Sequence, residues 1–581
     1  MRPGRSLLPA DLHAHLLALA EGRVDHPRHG LPEQDDELLW RAQERANRHL
    51  WSTLPGPCRT LQVGIGSGST LCRLVQAGYQ AVGLTPNARQ ATEALVRHGE
   101  ALDLRISTLE TFDGAGGPWD LLLVQESAHS IAPLTLFEAA DRLLVSDGAQ
   151  MVVMGEFALQ RRSAGDTGLH DLPAFKALAC RLGWTIEHDL DLSVEATGTV
   201  RAIERLLRRQ RQTPRRDLAL GDGALQGLLD AAARCTELYA CGVYAYRLLR
   251  LHRPRRPARR LAAIHAGHAP AMRALFERTF GVAMSETAWT WKYGAGRGHA
   301  VGLWKGDTLL AHYGAMTRRV RIDGRTELAC QIGDVMVSAQ ANAGLAREGA
   351  LHQVSATLLE AQIGWGRPHL LGFGFPNARA MKVAARLGLY APVDAVVELR
   401  WSALNEAEDW REKLWRQRTI ELDRLRDDEA DARALGRAWE RMAKALPRSL
   451  LPERDLAWLR YRYAQRPEVA YRVRLCESRI GRCPAGAYVL RDHGAFMELI
   501  DLIGPPSDWH RLLRAARRDA GQKPLHTWVS ASHRTLLERA APGAVEQPIN
   551  VIVPTCAHTP GPTAEALRDR WFLMAGDTDA R

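Results

Sequence analysis

The stretch TLQVGIGSGST, residues 60–70, decides how the first half of the chain is read. A short apolar segment ends in Val63-Gly64-Ile65-Gly66-Ser67-Gly68, and a helical pattern opens at Ser69. Glycines at such a strand-to-helix junction let the backbone turn sharply and let a ligand approach without meeting a Cβ. The spacing narrows the choice. A dinucleotide loop, G-x-G-x-x-G, needs its third glycine at position 69, which is Ser69. A phosphate loop would need Gly-Lys-Ser/Thr, and none follows.

Around this loop, short apolar runs alternate with helical patterns. The predicted strands are 60–65, 81–84, 104–107, 119–124, 149–155 and 184–192; the predicted helices are 69–77, 87–99, 134–144 and 172–182. Strands alternating with helices predict a parallel, doubly wound sheet. A helical stretch over 33–50 precedes the sheet, and another over 223–250 closes it. HRPRRPARR, residues 252–260, is rich in Pro and Arg and reads as an inter-domain linker.

Past that point the pattern changes. Residues 300–337 read as successive antiparallel strands, with Gly306-Asp307 and Asp323-Gly324 as turns. A helix over 346–363, a strand over 370–375 and a helix over 377–387 follow. Residues 405–445 are charged and helical, and a second α+β segment starts near 453. AWTWKY (288–293) is echoed by AWLRYRY (457–463), and IGDVMV (332–337) by MELIDLIG (497–504). The order of elements agrees as well, so two related domains in tandem are expected.

Composition excludes several classes. The chain has 581 residues, 46 % hydrophobic and 25 % charged, which suits several globular domains. The net charge of +11 is carried mainly by scattered arginines with no nucleic-acid motif, so an Arg-rich soluble protein is preferred over a polyanion binder. Nine dispersed cysteines form no Cys-x-x-Cys pair, which argues against zinc and dithiol chemistry and for reduced thiols in a cytoplasm. Asp11, His13 and His15 interrupt the apolar run 6–20, so no signal peptide is expected, and no run approaches a membrane span.

The G-x-G-x-G loop resembles motif I of class I S-adenosylmethionine-dependent methyltransferases. AVGLTPNARQ (81–90), WDLLLVQESAHSI (119–131), LFEAADRLLVSDGAQMVVMGEF (136–157) and DLPAFKALACRLGWTIEHDLDLS (171–193) are similar to that family's later strands and helices. The resemblance is greatest to the sterol, tocopherol and cyclopropane-fatty-acid subgroup and spans about residues 40–250. It implies that Gly64, Gly66 and Gly68 line S-adenosylmethionine. It places Thr85 where most relatives carry the acidic ribose ligand. Glu126 and His129 follow the fourth strand, at the edge where open parallel sheets bind ligands. Glu126 is a candidate to bind cofactor or balance the sulfonium, and His129 is a candidate base; a hydrogen-bonded loop histidine is the competing reading.

Residues 261–400 resemble the GNAT acyltransferase superfamily through ETAWTWKYG (286–294), VGLWKGDTLLAHYGA (301–315), 332–360 and LLGFGFPNARAMKVAARLGLY (370–390). The resemblance implies that the strand ending near Val337 runs beside acetyl-CoA or another acyl-CoA, and that the loop around Gly344 holds its pyrophosphate. It also implies that the helix after Asn377 lies along the pantetheine. Asp334 is the candidate base by position, against a purely structural charge. Two features depart from the family: 340–345 lacks the usual small residues, and Met381 stands where a thiolate-protonating Tyr is expected. In the second unit Gly504-Pro505-Pro506 replaces the phosphate loop, and proline has no N–H to offer.

The expected organisation is therefore α/β: a Rossmann-like methyltransferase sheet followed by two α+β GNAT-like domains. The expected boundaries are a methyltransferase domain with an N-terminal helical segment over 1–251, a linker over 252–260, a GNAT-like domain over 261–400, a helical connector over 401–444 and a degenerate GNAT-like domain over 445–581. The expected function is methyl and acyl transfer to small-molecule, lipid or sugar acceptors. A methyltransferase with a non-catalytic GNAT-derived binding module, and a non-enzymatic binding protein, stay open as alternatives. No metal site is expected.

Overall fold

The computed structural model describes residues 30–33, 37–99, 101–160, 168–209, 222–341, 349–404, 414–427, 429–480 and 484–579. The chain divides into two compact units, Met1–Ala262 and Ala263–Arg581.

In the first unit, strands β1 (Arg59–Val63), β2 (Gln80–Thr85), β3 (Asp103–Ile106), β4 (Leu121–Gln125), β5 (Asp147–Ala158), β6 (Thr185–Asp191) and β7 (Tyr244–Arg255) form one seven-stranded sheet. Its order is β3-β2-β1-β4-β5-β7-β6. The first five strands pair in parallel, and β7 runs antiparallel to both β5 and β6. This mostly parallel, doubly wound sheet with one antiparallel strand is the Rossmann-like α/β arrangement expected from the sequence. All five residues of β4 are buried, as a central parallel strand covered on both faces requires. The helices are α1 (Leu39–Thr53), α2 (Ser69–Gln76), α3 (Ala88–His98), α4 (Pro133–Leu143), α5 (Leu172–Arg181), α6 (Ser193–Arg209) and α7 (Asp222–Ala240).

The 223–250 stretch is not one helix. α7 stops at Ala240, and Gly242, at φ +65°, turns the chain into β7. The expected linker is also misplaced, because residues 252–255 are the end of that strand. Arg253 is fully buried, ion-paired with Asp141, and its guanidinium lies 4.7 Å over the Trp184 ring. A carboxylate and an aromatic face make the site hospitable to a cation that composition alone assigns to solvent. Only residues 256–259 separate β7 from the next strand, β8 (Arg260–Ala263).

The second unit contains α8 (Ala269–Phe280), α9 (Glu286–Tyr293), β9 (Gly298–Lys305), β10 (Thr308–Ile322), β11 (Arg325–Val337), α10 (Ala350–Gln362), β12 (Leu371–Gly374), α11 (Ala378–Arg386) and β13 (Tyr390–Trp401). β14 (Trp415–Thr419), α12 (Ala430–Ala445), β15 (Leu451–Pro452), β16 (Arg472–Ser478), β17 (Pro484–Asp492) and β18 (Met497–Ile503) follow. α13 (Trp509–Asp519), β19 (Leu525–Ser530), α14 (Arg534–Ala540) and β20 (Val545–Cys556) complete it. One sheet runs β12-β11-β10-β9-β8 and the other β14-β16-β17-β18-β19-β13-β20. Asp323 and Gly324 both have positive φ, as a tight hairpin between β10 and β11 demands.

The repeat seen in the sequence has a structural counterpart. β9, β10 and β11 pair antiparallel and β12 joins β11 in parallel; β16, β17 and β18 pair antiparallel and β19 joins β18 in parallel. Tyr293, ending the first repeated word, donates to Asp334 on β11 at 2.7 Å. Tyr463, ending the second, donates to Asp501 on β18 at 2.9 Å. The two words also pack on each other. Trp291 and Tyr461 stack at 4.9 Å; Trp291 Nε1 donates to the Tyr461 carbonyl, and Tyr461 Oη donates to the Trp291 carbonyl.

The expected boundaries at 400 and 445 do not separate two bodies. β13, from the first repeat, sits between β19 and β20 in the second sheet, while β15, from the second, pairs with β10 in the first.

Candidate functional site

In the first unit, Gly64, Gly66 and Gly68 all have left-handed φ, at +78°, +53° and +80°. Their surroundings differ. A Cβ on Gly64 would lie 2.7 Å from the Ser127 Cβ, and one on Gly68 would lie 2.8 Å from the Ala94 Cβ. A Cβ on Gly66 would meet nothing within 4 Å. The outer two glycines thus let the loop pack on the protein, and Gly66 leaves space for something else. That arrangement fits S-adenosylmethionine lying against the loop.

Thr85 ends β2 but is buried, and its hydroxyl is engaged: it donates to Gln90 Oε1 at 3.1 Å and accepts from the Asn87 N–H at 3.1 Å. It shapes the turn into α3 and brings Gln90 to that corner. Glu126 follows β4 in a left-handed conformation, φ +52°, which is uncommon outside glycine. Tyr246 of β7 donates its hydroxyl to Glu126 Oε1. Nearby on β5, Glu156 accepts from Tyr239 at 2.9 Å. His129 sits half-exposed in the turn Ala128–Ser130. The turn is held by buried His170, whose Nε2 lies 2.7 Å from the Ala128 carbonyl and 2.8 Å from that of Ile131. Tyr246, Tyr239 and His170 were not singled out in the sequence. Tyr246 falls in the segment read as helix, and His170 carries no local motif.

In the second unit, β11 and β12 pair only from Ala329/Leu371 to Ile332/Gly374 and then diverge. A cavity of about 970 Å³ opens there, lined by Gly333, Asp334, Phe375 and Asn377 among others. Asp334 lies at its floor in a left-handed bulge, φ +50°. Its carboxylate accepts from Lys292 Nζ at 2.7 Å and from Tyr293 at 2.7 Å, and His312 Nδ1 donates to its carbonyl at 2.7 Å. Lys292 also pairs with Asp579. Burial opposes the Lys292 charge, but the two carboxylates outweigh it and hold the amine's pKa above the ordinary lysine value. The Lys292 ammonium holds the Asp579 carboxyl below the usual range against the opposing effect of burial. The Asp334 carboxylate is thus held between the Lys292 ammonium and the Tyr293 hydroxyl. The geometry therefore gives Asp334 the work of fixing Lys292 and the bulge.

Asn377 lines the cavity, yet its Oδ1 accepts from the Ala380 N–H at 2.8 Å and caps α11. Asn550 accepts from the Ala378 N–H at 3.1 Å. Those helix-end donors are occupied, whereas α10 starts after Gly349 with no side-chain cap. Val337 ends β11 opposite Ala311, away from the cavity lining. Gly344 lies outside the described residues. Met381 is buried in the wall. Two phenols that the sequence did not single out stand on the cavity instead: Tyr313 of β10 and Tyr390 of β13, with their hydroxyls 2.6 Å apart.

The second sheet has the corresponding divergence, since β18 and β19 pair only over Met497–Leu499 and Leu525–Thr527. Residues 574–577 occupy it. Met574 bridges to Val529, and the buried turn Ala575–Asp577 follows. Asp577 bonds Arg318 at 3.1 Å and Arg454 at 2.7 Å. Asp579, two residues on, reaches Lys292 at the first cavity.

Residues 260–388 match the family model of the acetyltransferase (GNAT) domain. The GNAT segment runs from β8 to the end of α11 and includes both strands that enclose the cavity. The chain is also similar to several solved structures. One is the cyclopropane synthase MmaA2 from Mycobacterium tuberculosis, with 17 % identity, 42 % of this chain and 95 % of that one covered, and TM-score 0.36. A second is the geranyl diphosphate C-methyltransferase from Streptomyces coelicolor A3(2), with 15 % identity, 43 % and 100 % covered, and TM-score 0.32. A third is an Enterococcus faecalis V583 protein described as a probable N-acyltransferase, with 11 % identity, 53 % and 74 % covered, and TM-score 0.39. No curated protein matches the chain. Among the described residues, no helix is long and apolar enough to cross a membrane, and no group of three or more His, Cys, Asp and Glu residues is placed to hold a metal ion.

Proposed function

We propose that the chain is a two-centre transferase that moves a methyl group from S-adenosylmethionine in its first unit and an acyl group from acetyl-CoA or another acyl-CoA in its second. The observation that carries the first half is the contrast within the glycine loop: Gly64 and Gly68 are packed on protein, and Gly66 alone faces open space. Bound there, S-adenosylmethionine supplies a methyl group on a sulfonium. The chain's part is alignment and charge. Glu126, fixed by Tyr246, offers a carboxylate at the edge of β4; His129 offers an imidazole from a turn that His170 holds.

The second half rests on the open cavity between β11 and β12. An acyl-CoA there supplies a thioester. One hydroxyl proton is shared between Tyr313 and Tyr390, and the Ser355 hydroxyl, which also meets Tyr313, competes with the cavity for the second. Burial raises both phenol pKa values, which keeps them protonated. We assign this pair the proton donation for which Met381 has no group. The occupied Asp334 and Met381 favour one alternative, a GNAT-derived module that binds without turnover.

The test of the first centre is equilibrium binding of labelled S-adenosylmethionine to the full chain and to Gly66→Val. The wild type is expected to bind and the variant to lose binding while keeping its circular dichroism spectrum. Undiminished binding by a folded variant would refute the loop assignment.

A further inference from the structure

We infer that the cavity between β11 and β12 takes an acyl acceptor built on an aliphatic or aryl chain with one acylatable amine, and not a sugar; this rests on the acyl-transfer reading of that cavity. One wall decides it. Phe276, Phe280, Val282, Ala283, Met284 and Ala288, from α8, α9 and the loop between them, all line the cavity. None of these side chains donates or accepts a hydrogen bond. The Phe276 and Phe280 rings pack at 4.7 Å, and Phe280 and Val282 stay 48 % and 59 % exposed. Large apolar groups held open to water beside a cavity are what an apolar ligand would cover.

The polar side chains that flank this wall on α9 are already engaged, and Arg379 and Glu468, which also line the cavity, lie on other elements. Ser285 caps α9 by accepting from the Ala288 N–H at 3.1 Å. Lys292 is shared by Asp334 and Asp579, and Tyr293 bonds Asp334. A sugar would bring several hydroxyls against this wall and leave them without partners, and each such loss opposes binding. A methylene moved from water to the same wall favours binding by about fourfold. The acceptor class is therefore set by the α8–α9 wall, while the β11–β12 wedge serves the donor.

The experiment uses the full chain with acetyl-CoA and compares n-alkylamines from ethyl to octyl with glucosamine, following thiol release. N-octylacetamide, a mimic of the acylated product, is titrated calorimetrically in parallel. The expected result is a kcat/KM that rises about fourfold per methylene over the short members, with octylamine ahead of glucosamine. The double variant F280S/V282S, changed at two exposed positions, is expected to flatten the chain-length series and to bind N-octylacetamide at least tenfold more weakly while binding acetyl-CoA unchanged. Glucosamine ahead of octylamine, or no chain-length dependence in a chain that binds acetyl-CoA, would overturn the inference and leave the acyl-transfer reading intact. Binding of N-octylacetamide without acetyl-CoA would support the apolar site and overturn acyl transfer. Binding of neither overturns both.

Discussion

Replacing Asp577 by Ala tests whether the segment 574–577 is built into the second sheet as a buried ionic plug. Asp577 is 1 % exposed. Its Oδ1 accepts from Arg318 at 3.1 Å, and its Oδ2 accepts from Arg454 at 2.7 Å and from the Met574 N–H at 2.9 Å. Arg454 also bonds Asp501, which leaves two guanidiniums balanced by two carboxylates. Without Asp577, two buried cations would face Asp501 alone. Removing one partner of such a cluster costs about 3–5 kcal/mol, because a buried charge is left uncompensated. For a unit of this size that corresponds to a fall in Tm of roughly 4–8 °C. Scanning calorimetry of the full chain reads it as a shift of one transition. The control is Asp427→Ala: Asp427 pairs with Arg460 from a side chain that is 83 % exposed, and its loss should cost less than about 1 kcal/mol. Equal shifts for the two variants would refute the buried-plug reasoning.

Two more outcomes follow from the same packing. Burial pushes the His369 and His533 imidazoles down to about 4, so the unfolded chain binds more protons than the folded one between pH 6.5 and 4. Stability from these residues is therefore complete above pH 6.5 and lost as pH falls toward 4, by roughly 1.4 kcal/mol per pH unit for each histidine; urea unfolding of His533→Gln across that window should show a shallower slope than wild type. Tyr313→Phe should lower the acyl-transfer kcat by about 10²-fold while leaving acetyl-CoA affinity within twofold, as loss of a general acid predicts; an unchanged kcat would remove the phenol pair from the chemistry.

The first unit was largely legible because its sheet is made of sequence-local βα units, each carrying its own periodicity and turn. The loop at Gly64–Gly68 fell where the pattern put it. β7 was missed for a physical reason: it enters the sheet antiparallel after a helix, and its Arg and Pro content reads as solvent-exposed until Asp141 and Trp184 are seen around Arg253. In the second unit the repeated words were visible, but their mutual stacking was not. The exchange of β13 and β15 between sheets depends on pairings more than fifty residues apart, which no local pattern encodes. Asp334 was singled out by position as a candidate base, against a structural charge. Its partners Lys292 and Tyr293 lay in a word quoted for its aromatics, and Asp579 lies in a tail with no motif. Thr85 and Asn377 are where the sequence placed them, yet their side chains serve the turn and helix cap that hold the site.

The central claim is that one chain carries one methyl-donor site and one acyl-donor site, the wedge between β18 and β19 being closed by residues 575–577. Calorimetric titration of the full chain with S-adenosylmethionine and with acetyl-CoA measures this directly. The account predicts a stoichiometry of one for each ligand, with the second unaffected by saturation with the first. Two acetyl-CoA molecules per chain, or heat from neither ligand, would contradict it.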